Sequence, residues 1–564
     1  MEQKPRIPCK KDVMGYFFLG IGVMMLLKSL MLCFSSDIWY DELFTVGMIE
    51  HSYGDLIGFT ARDVHPPLYY CVVKLFVDLC KLTSAQISPV VAAKIVSVLP
   101  YFILFIYGLS LVRKRFGTLT AGLFLFCVMA MPQLSAYMVE VRMYGWALLF
   151  VTAAFLHGYE LTAAGGGRRS GGCGLQTADS VGAPDACGLR TTDRAGVQDV
   201  GGLGRTRRMH GAAMVVYGLA AAYTQYFACV AAAMVYFYVL LVFFIKDRGR
   251  IKEWLLYAGL TAVGYGPWFL ALFGQITAVR ENYWILPLTW RSLGGCVKFL
   301  MKPAFTDAVL STVFAVILSV AYATALLHAI VKLYHYGREN TKNGHNYDID
   351  KSCFILAGVG VLAGVVLFGF AASFLMRPVF VYRYMVPAMG CFWLSFAVAL
   401  EGMARDGKGF IRKISIGIML LVLVVGLRDY RAFRGEEEYK ILLMEETQKA
   451  LTSIAPQDIV LYNFDQVQAV TSYYLDSQTE SYLWRGTPEA LIQDIVRPYG
   501  TLEETEQIKA WCRDGRKVWF IGSFNSREDI VEEWKADGLQ VDETGSYLLE
   551  RYWFNLYKIS LERP

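Results

Sequence analysis

Long apolar blocks separated by short polar segments run through most of the chain. The blocks are roughly 17 to 25 residues long, a length that crosses about 30 Å of hydrocarbon as an α-helix. The pattern therefore predicts about eleven membrane-spanning helices. Their approximate ranges are 13–34, 90–112, 117–135, 143–162, 211–245 (two helices that divide near 223–226), 252–273, 307–333, 353–376, 384–402 and 411–427.

The segment 66–82 has a different pattern from these blocks. It begins at a Pro-Pro pair and carries Lys74, Asp78 and Lys81 among apolar residues. A short amphipathic helix of this kind is better suited to the membrane interface than to crossing the bilayer. We expect a surface helix here, within the first outer loop.

The basic residues test this expectation, because positively charged loops tend to stay in the cytoplasm. If 66–82 lies flat, the later basic clusters fall on the same side as the basic N-terminus; if it spans, they all fall outside. The first arrangement predicts a cytoplasmic N-terminus and an extracytoplasmic C-terminal region. The clusters are 113–115, 168–208, 246–250, 332–351 and 405–413.

Two segments depart from the membrane pattern. Residues 163–210 are rich in Gly, Ala, Arg, Ser and Thr and predict a flexible cytoplasmic insertion. From residue 430 the chain alternates strand and helix patterns, which predicts a small soluble α/β domain over 430–564 after a membrane domain over 1–429. Its expected strands are 458–462, 517–522 and a hairpin over 546–561, and its expected helices are 438–454, 464–475, 487–497, 503–513 and 527–537.

Composition agrees with a polytopic α-helical membrane protein. The chain is 55% hydrophobic and only 18% charged, and its mean hydropathy is +0.38, outside the usual range of soluble domains. The net charge of +5 does not indicate nucleic acid, since the basic residues lie in loops. The cysteines form no pair or cluster with metal-ligand spacing, so no metal or other cofactor is expected.

The candidate chemistry lies between the first two spans. Asp41 and Glu42 follow an aromatic pair, and Asp63 and His65 precede the Pro-Pro turn. Acidic groups this close to hydrocarbon are costly and usually mark catalysis or a substrate path. A polar loop in which Asp41 merely caps a helix is the plainer alternative.

In the predicted topology the polar residues of several loops meet on the outer face. There a carboxylate can take the proton of an acceptor hydroxyl, and cations can stabilise a departing phosphate. Because no nucleotide sugar is expected on that face, the donor would be lipid-linked. Asp41 is the candidate base, and the candidate phosphate partners are His65, Lys94, Arg142 and Arg383.

The series Trp39-Tyr40-Asp41-Glu42, Asp63-Val64-His65-Pro66-Pro67, Glu140-Val141-Arg142-Met143-Tyr144, Tyr223-Thr224-Gln225-Tyr226 and Arg383-Tyr384 resembles glycosyltransferase family 39. This family includes the protein O-mannosyltransferases and the lipid A aminoarabinose transferase, and the resemblance covers roughly the first 400 residues. It implies a GT-C fold with membrane-surface helices in the first outer loop. It also implies a polyprenyl-phosphate sugar donor, an extracytoplasmic acceptor (protein, glycolipid or cell-wall polymer), inversion at the anomeric carbon and no metal.

The resemblance also implies roles for individual residues. Asp41 matches the catalytic acid of the Asp-Glu pair, and Glu42 is its neighbour. His65 lies where the aminoarabinose branch has a lysine near the donor phosphate, and Gln225 replaces the histidine of a Thr-His-Tyr motif. The candidate catalytic residues are Asp41 and Glu42, and the candidate substrate-binding residues are Asp63, His65, Lys94, Glu140, Arg142, Tyr144, Gln225, Tyr226, Arg377, Tyr382 and Arg383.

Two other functions remain open from the residues alone. A flippase of lipid-linked saccharides would also hold charges within a helix bundle, although such transporters usually contain internal repeats. A scaffold that binds cell-wall material through its outer domain would leave the acidic pair unexplained. Arg142, Arg377 and Arg383 could also serve only as interfacial anchors.

Overall fold

The computed structural model describes residues 10–83, 87–163, 195–281, 285–339, 346–406, 409–487, 490–549 and 552–562. Helices make up most of the described residues before residue 452. The first ten are α1 Lys10–Leu32, α2 Tyr40–Met48, α3 Tyr53–Arg62, α4 Leu68–Leu82, α5 Pro89–Tyr107, α6 Arg113–Phe116, α7 Thr118–Ala130, α8 Tyr144–Ala163, α9 Ala195–Ala222 and α10 Tyr226–Lys246. The next seven are α11 Ile251–Tyr265, α12 Phe269–Glu281, α13 Trp290–Met301, α14 Ala308–Glu339, α15 Asn346–Leu375, α16 Val386–Asp406 and α17 Phe410–Leu451.

Helices occupy every predicted span. Among the described residues, eight helical segments are long and apolar enough to cross a membrane. The predicted spans outside this group correspond to α7, which has 13 residues, to α8 and to the second half of α9. The eight are Asp12–Leu32, Pro89–Phe116, Tyr226–Lys246, Arg248–Ile276, Ala308–His335, Asp350–Leu375, Tyr382–Arg405 and Phe410–Leu451.

The predicted division of 211–245 is confirmed. α9 ends at Ala222 and α10 begins at Tyr226. The turn between them is fixed from outside, because the Tyr223 carbonyl accepts a hydrogen bond from the Leu68 backbone N–H at 3.0 Å. The break therefore lies against the start of α4, directly after the Pro-Pro turn.

Three short helices, α2 to α4, lie between α1 and α5, as the first outer loop was expected to contain. α4 has 15 residues, fewer than a crossing of the bilayer needs. Its position in the membrane interface stays a prediction.

The predicted insertion over 163–210 is wrong in its C-terminal part. Residues 164–194 lie outside the described residues, but α9 begins at Ala195. Helical structure before the apolar block is explained by contacts with neighbouring helices: Arg207 pairs with Glu253 at 3.2 Å, and His210 lies 2.8 Å from His157 between ring nitrogens.

The predicted domain boundary at residue 430 falls inside α17, which runs for 42 residues. This helix joins the last predicted span and the predicted helix 438–454 into one element. Beyond the apolar half, pairs at helical spacing stabilise its continuation: Lys440 lies 2.6 Å from Glu437 and 3.8 Å from Glu436.

A six-stranded sheet follows α17, in the order β3-β2-β1-β4-β6-β5. β1 is parallel to β2 and β4, β2 is parallel to β3, and β6 is antiparallel to β4 and β5. The predicted strands are confirmed, whereas β2 and β3 were not predicted. The strands are β1 Ile459–Tyr462, β2 Glu480–Trp484, β3 Gly500–Leu502, β4 Val518–Ser523, β5 Leu539–Leu549 and β6 Tyr552–Leu561, with helices α18 Asp465–Tyr474, α19 Ala490–Ile495, α20 Thr505–Arg513 and α21 Ser526–Ala536.

The sheet domain contacts the segment between α1 and α5. Tyr474 donates a hydrogen bond to the Ser36 carbonyl at 2.5 Å, and the His51 ring lies 3.2 Å from the Ile495 carbonyl oxygen. Arg62 pairs with Asp494 at 3.0 Å. α18 and α19 therefore fix the position of α2, which carries the acidic pair.

Two glycines let α1 and α7 approach each other closely. A Cβ atom added at Gly15 would lie 2.5 Å from the Thr118 carbonyl oxygen, and one added at Gly122 would overlap the Gly15 carbonyl. Small residues at membrane helix interfaces permit such backbone contact.

We expect Gly122→Leu to lower the free energy of unfolding by about 2 kcal/mol, because the side chain must separate the two helices. The measurement is thermal unfolding of the full chain in detergent. Gly20→Leu in the same region of α1 is the control, since a Cβ atom there meets nothing within 4 Å. Equal unfolding temperatures for the two variants would contradict this account of the interface.

Candidate active site

Asp41 lies in the first turn of α2 and contacts two arginines from distant parts of the chain. Its Oδ2 atom accepts a hydrogen bond from Nη1 of Arg383 at 2.9 Å, and its backbone carbonyl accepts one from Nη1 of Arg142 at 2.9 Å. The two side chains of the Asp41–Arg383 pair are each 24% exposed. Within the described residues, no hydrogen bond is made to Oδ1 of Asp41.

These contacts set the charge of Asp41. Burial opposes ionisation, but the charges of Arg142 and Arg383 outweigh it and lower the pKa of the Asp41 carboxyl below its ordinary value. The group is therefore ionised at neutral pH and has one oxygen available to a ligand.

Two consecutive contacts, from Asp63 to His65 and from His65 to Arg142, position the Arg142 side chain. Its Nη2 atom lies 3.3 Å from Nε2 of His65, and Nδ1 of His65 lies 2.8 Å from Oδ2 of Asp63. Since arginine can only donate, Nε2 must accept, and the ring proton must lie on Nδ1 and point to Asp63. Asp63 therefore selects the His65 tautomer that can hold Arg142.

Asp63 is suited to this role because it stays ionised. Burial raises the pKa of its carboxyl, but the neighbouring His65 ring, with hydrogen bonds from that ring and from the Val64 backbone N–H, lowers the pKa below its ordinary value. The Asp63-His65 pair was predicted as a substrate-binding element, and the structure connects it to Asp41 through Arg142.

Glu42 differs from Asp41 in its surroundings. Its Oε1 atom accepts a hydrogen bond from the Val141 N–H at 2.7 Å, and Oε2 accepts one from the Trp39 N–H at 3.2 Å. One helical turn later, Thr45 donates to the Val141 carbonyl at 3.0 Å. Both oxygens of Glu42 thus accept hydrogen bonds from backbone N–H groups and connect the 140–142 loop to α2.

Burial also changes the acidity of two carboxyls at this loop. It raises the pKa of Glu42 to about 8. It raises the pKa of Glu140 to about 7, against the opposing influence of the Arg142 and Arg383 charges. Glu140 therefore changes its charge near neutral pH beside both arginines.

Lys94 already has partners within the protein. Its Nζ atom lies 2.6 Å from Oδ1 of Asp37 and 2.9 Å from Oγ of Ser35, and the residue is buried. Asp37 was not predicted, although it lies only four residues before Asp41. Lys94 and Asp37 together fix the segment between α1 and α2.

A cavity of about 450 Å³ lies beside these groups. Two parts of the chain line it, and the second was not predicted because the C-terminal segment had no catalytic motif. The membrane part contributes Asp37, Trp39, Glu42, Lys94, Glu140 and Arg383, and the C-terminal part contributes Glu436, Glu437 and Lys440 of α17 and Leu548 and Leu549 of β5. The charged run directly after the last apolar block is the sequence signal for the α17 contribution.

Several buried polar atoms near Arg142 have no hydrogen-bond partner. They include Nε of Arg142 and the hydroxyls of Tyr70 and Tyr144, all in buried residues. Buried polar groups are usually paired, and clustered exceptions often mark a ligand site. Tyr144 was predicted to bind substrate, whereas Tyr70, in the same motif as His65, was not.

Gln225 and Tyr226 have separate environments. Both amide atoms of the buried Gln225 are without a partner. The Tyr226 hydroxyl instead donates to Gln275 and accepts from the Trp268 indole at 3.1 Å, while Gln275 donates to the Thr60 carbonyl at 2.8 Å. Tyr226 therefore links α10 to α12 and α3.

Arg377 and Tyr382 lie outside the cavity beside Asp41. Arg377 belongs to the loop after α15 and is not among the cavity residues. Tyr382 lines a second cavity. Tyr382 and Arg383 belong to the short helical turn Tyr382–Met385, which we call the Arg383 turn. Among the described residues no group of three or more His, Cys, Asp or Glu side chains could hold a metal ion.

No protein-family model matches the chain, and no curated protein matches its sequence. The fold is similar to the crystal structure of ArnT from Cupriavidus metallidurans bound to undecaprenyl phosphate, with a TM-score of 0.50 and 12% identity over 97% of this chain and 99% of that one. An apo-state structure of the same ArnT gives a TM-score of 0.44 at 12% identity, covering 97% of this chain and 98% of that one. The Archaeoglobus fulgidus oligosaccharyltransferase in the apo form gives 0.41 at 11% identity, covering 88% of this chain and 65% of that one. The chain therefore shares the fold of that ArnT structure, with a small sheet domain at its C-terminus.

Proposed function

We propose that this protein is a membrane glycosyltransferase of family 39 type. It moves a monosaccharide from a polyprenyl-phosphate donor to an acceptor on the extracytoplasmic face, with Asp41 as base. The observation that carries the proposal is the contact between Asp41 and Arg383, because Arg383 also lines the cavity, together with the hydrogen bond that Arg142 donates to the Asp41 backbone carbonyl. ArnT, which has the same fold, was crystallised with undecaprenyl phosphate.

In the proposed reaction, the acceptor hydroxyl oxygen attacks the anomeric carbon of the donor. The bond between this carbon and the phosphate oxygen breaks, and its electron pair stays with the phosphate. The hydroxyl proton passes to Oδ1 of Asp41. A single attack opposite the leaving phosphate inverts the anomeric configuration.

Arg383 is placed to act on both the departing phosphate and the base Asp41. It lines the cavity, and it also holds Oδ2 of Asp41. If the Arg383 guanidinium moves toward the departing phosphate, its positive charge stabilises that phosphate. The same movement takes the positive charge away from Asp41, which makes the Asp41 carboxylate more basic. Arg142 supplies a second, buried cation, and its unpaired Nε is a free donor.

Glu42 acts as a positioning residue in this mechanism, since both of its oxygens hold backbone N–H groups. The N-terminus is proposed to be cytoplasmic, with the cavity and the sheet domain outside. The expectation that transfer needs no metal stays a prediction.

We expect Asp41→Asn to reduce transfer from a polyprenyl-phosphate sugar in proteoliposomes by about 10³-fold or more, because the amide cannot take the proton. Formation of the glycosidic bond is measured directly, which also separates transfer from movement of the saccharide across the bilayer. Asp55→Asn, an exposed aspartate of α3, is the control and should retain activity. Undiminished transfer by Asp41→Asn would remove Asp41 from the mechanism.

The acidity of Glu140 predicts a pH dependence of donor binding. Its pKa is raised to about 7, so the group is neutral below this pH and negative above it. The negative form competes with the donor phosphate for Arg142 and Arg383, and the KM for the donor should therefore rise as pH increases through about 7. Glu140→Gln, which stays neutral, should remove this rise; a rise of the same size in the variant would contradict the assignment.

Asp63→Asn should lower kcat/KM by about tenfold or more, because an amide N–H facing Nδ1 favours the His65 tautomer that cannot accept from Arg142. Since Asp63 and His65 act through the same contact, their effects should not add. The measurement is a double-mutant cycle of Asp63→Asn and His65→Gln. A double variant that loses the product of the two single losses would show that the residues act independently.

A further inference from the structure

A second cavity has a volume of about 630 Å³. Tyr382 lines this cavity, and its neighbour Arg383 lines the first. Arg291 and Lys298 of α13 also line the second cavity, as does Lys302, the residue directly after α13. We call this cavity the α13 groove.

α13 presents different residues in different directions. Arg291 and Lys298, with the spacing i, i+7, share one helix face, and Lys302 is the C-cap residue that follows the helix. Trp290, Leu293 and Val297 follow i, i+3, i+7 and share a second face, which is exposed, with Trp290 at 83%. Cys296 and Leu300, at i and i+4, are buried against the protein. The basic residues and the exposed apolar residues thus lie on different faces of the same helix.

The cations of the groove have no acidic partners. In the part of the chain that the structure describes, none of the three forms an ion pair. Gly295 lies between them on the same face, and a Cβ atom there would overlap the Tyr382 hydroxyl. The glycine thus lets α13 approach the Arg383 turn closely while the basic side chains flank an open space.

α13 is joined to the end of the helix bundle that carries Asp41. Besides the Gly295–Tyr382 contact, the loop after α13 is held by Asp429 of α17, which accepts a hydrogen bond from the Ala304 N–H at 2.6 Å. With 12 residues, the helix is too short to cross a bilayer. Its exposed apolar face and basic face are typical of a helix lying in the membrane interface.

We propose that the α13 groove binds the phosphate-bearing headgroup of a membrane lipid. The three unpaired cations complement a phosphate, and each basic residue near a membrane surface favours anionic lipid. The exposed face of Trp290, Leu293 and Val297 lies where the acyl chains of such a lipid would continue, and a soluble anion would leave it uncovered. A lipid bound there lies beside the turn that carries Arg383, as a second amphiphile next to the proposed donor site.

The test measures lipid binding and does not require transfer activity, so it is independent of the proposed function. Short-chain phosphatidylglycerol and phosphatidylcholine are titrated against the full chain in detergent, and bound lipid is counted by native mass spectrometry. We expect a preference of about tenfold or more for phosphatidylglycerol. Equal binding of the two lipids would overturn the proposal.

Variants separate a shaped site from general surface charge. The triple variant Arg291→Gln, Lys298→Gln, Lys302→Gln should lose the preference, and so should Thr306→Trp, which fills the groove but keeps the cations. The control carries the same loss of charge on the sheet domain, through Lys517→Gln, Lys535→Gln and Lys558→Gln, all exposed, and should keep the preference.

Three further outcomes would overturn the proposal: an unchanged preference in Thr306→Trp, an equal loss in the control, or complete displacement of the lipid by millimolar glycerol phosphate. The last result would identify a site for a soluble anion. If the triple variant does not fold, Thr306→Trp and the single change Lys298→Gln decide the question.

Discussion

Asp41 and Arg383 form the contact on which the site depends, although 342 positions separate them in the chain. A charge moved out of water is costly unless a partner replaces its hydration. The Asp41 carboxylate therefore stabilises the charges of Arg383 and Arg142, and its removal leaves two neighbouring cations without this partner. The start of α2, the 140–142 loop and the Arg383 turn are fixed relative to one another by this requirement.

The surrounding contacts extend this constraint outward. Val141 is held to α2 through both of its backbone polar groups, by Glu42 and Thr45, and Asp63 fixes the ring that faces Arg142. Against this fully paired frame, the unpartnered hydroxyls of Tyr70 and Tyr144 and the free Nε of Arg142 are exceptions. Most polar groups around Asp41 are hydrogen-bonded within the protein, and a few donors are left unpaired. Such an arrangement is preorganised to bind a ligand.

The sequence predicts the helices well because spans must be apolar over a length set by the bilayer. The break at 223–225 and the parallel strands β1 and β4 were also predictable, since both have strong local patterns. β2 and β3 were not, because they lack the unbroken run of buried apolar residues that marks β1 and β4. The sequence also identified Asp41, His65, Arg142 and Arg383 as candidates. It did not predict that α17 lines the cavity, because a run of charged residues is also typical of a solvated helix face.

The length of α17 explains how a C-terminal domain comes to line a cavity at the membrane. Forty-two residues make a helix of about 63 Å, and the hydrocarbon core takes only about 30 Å of it. The remainder carries Glu437 and Lys440 to the cavity and continues to the sheet, whose β5 reaches back to the same cavity with Leu548 and Leu549. Because α17 has no break between membrane and sheet, the sheet domain cannot turn freely about a linker. Its position at the cavity is set by the same helix that packs in the bundle, so α17 connects this wall of the cavity to the membrane domain.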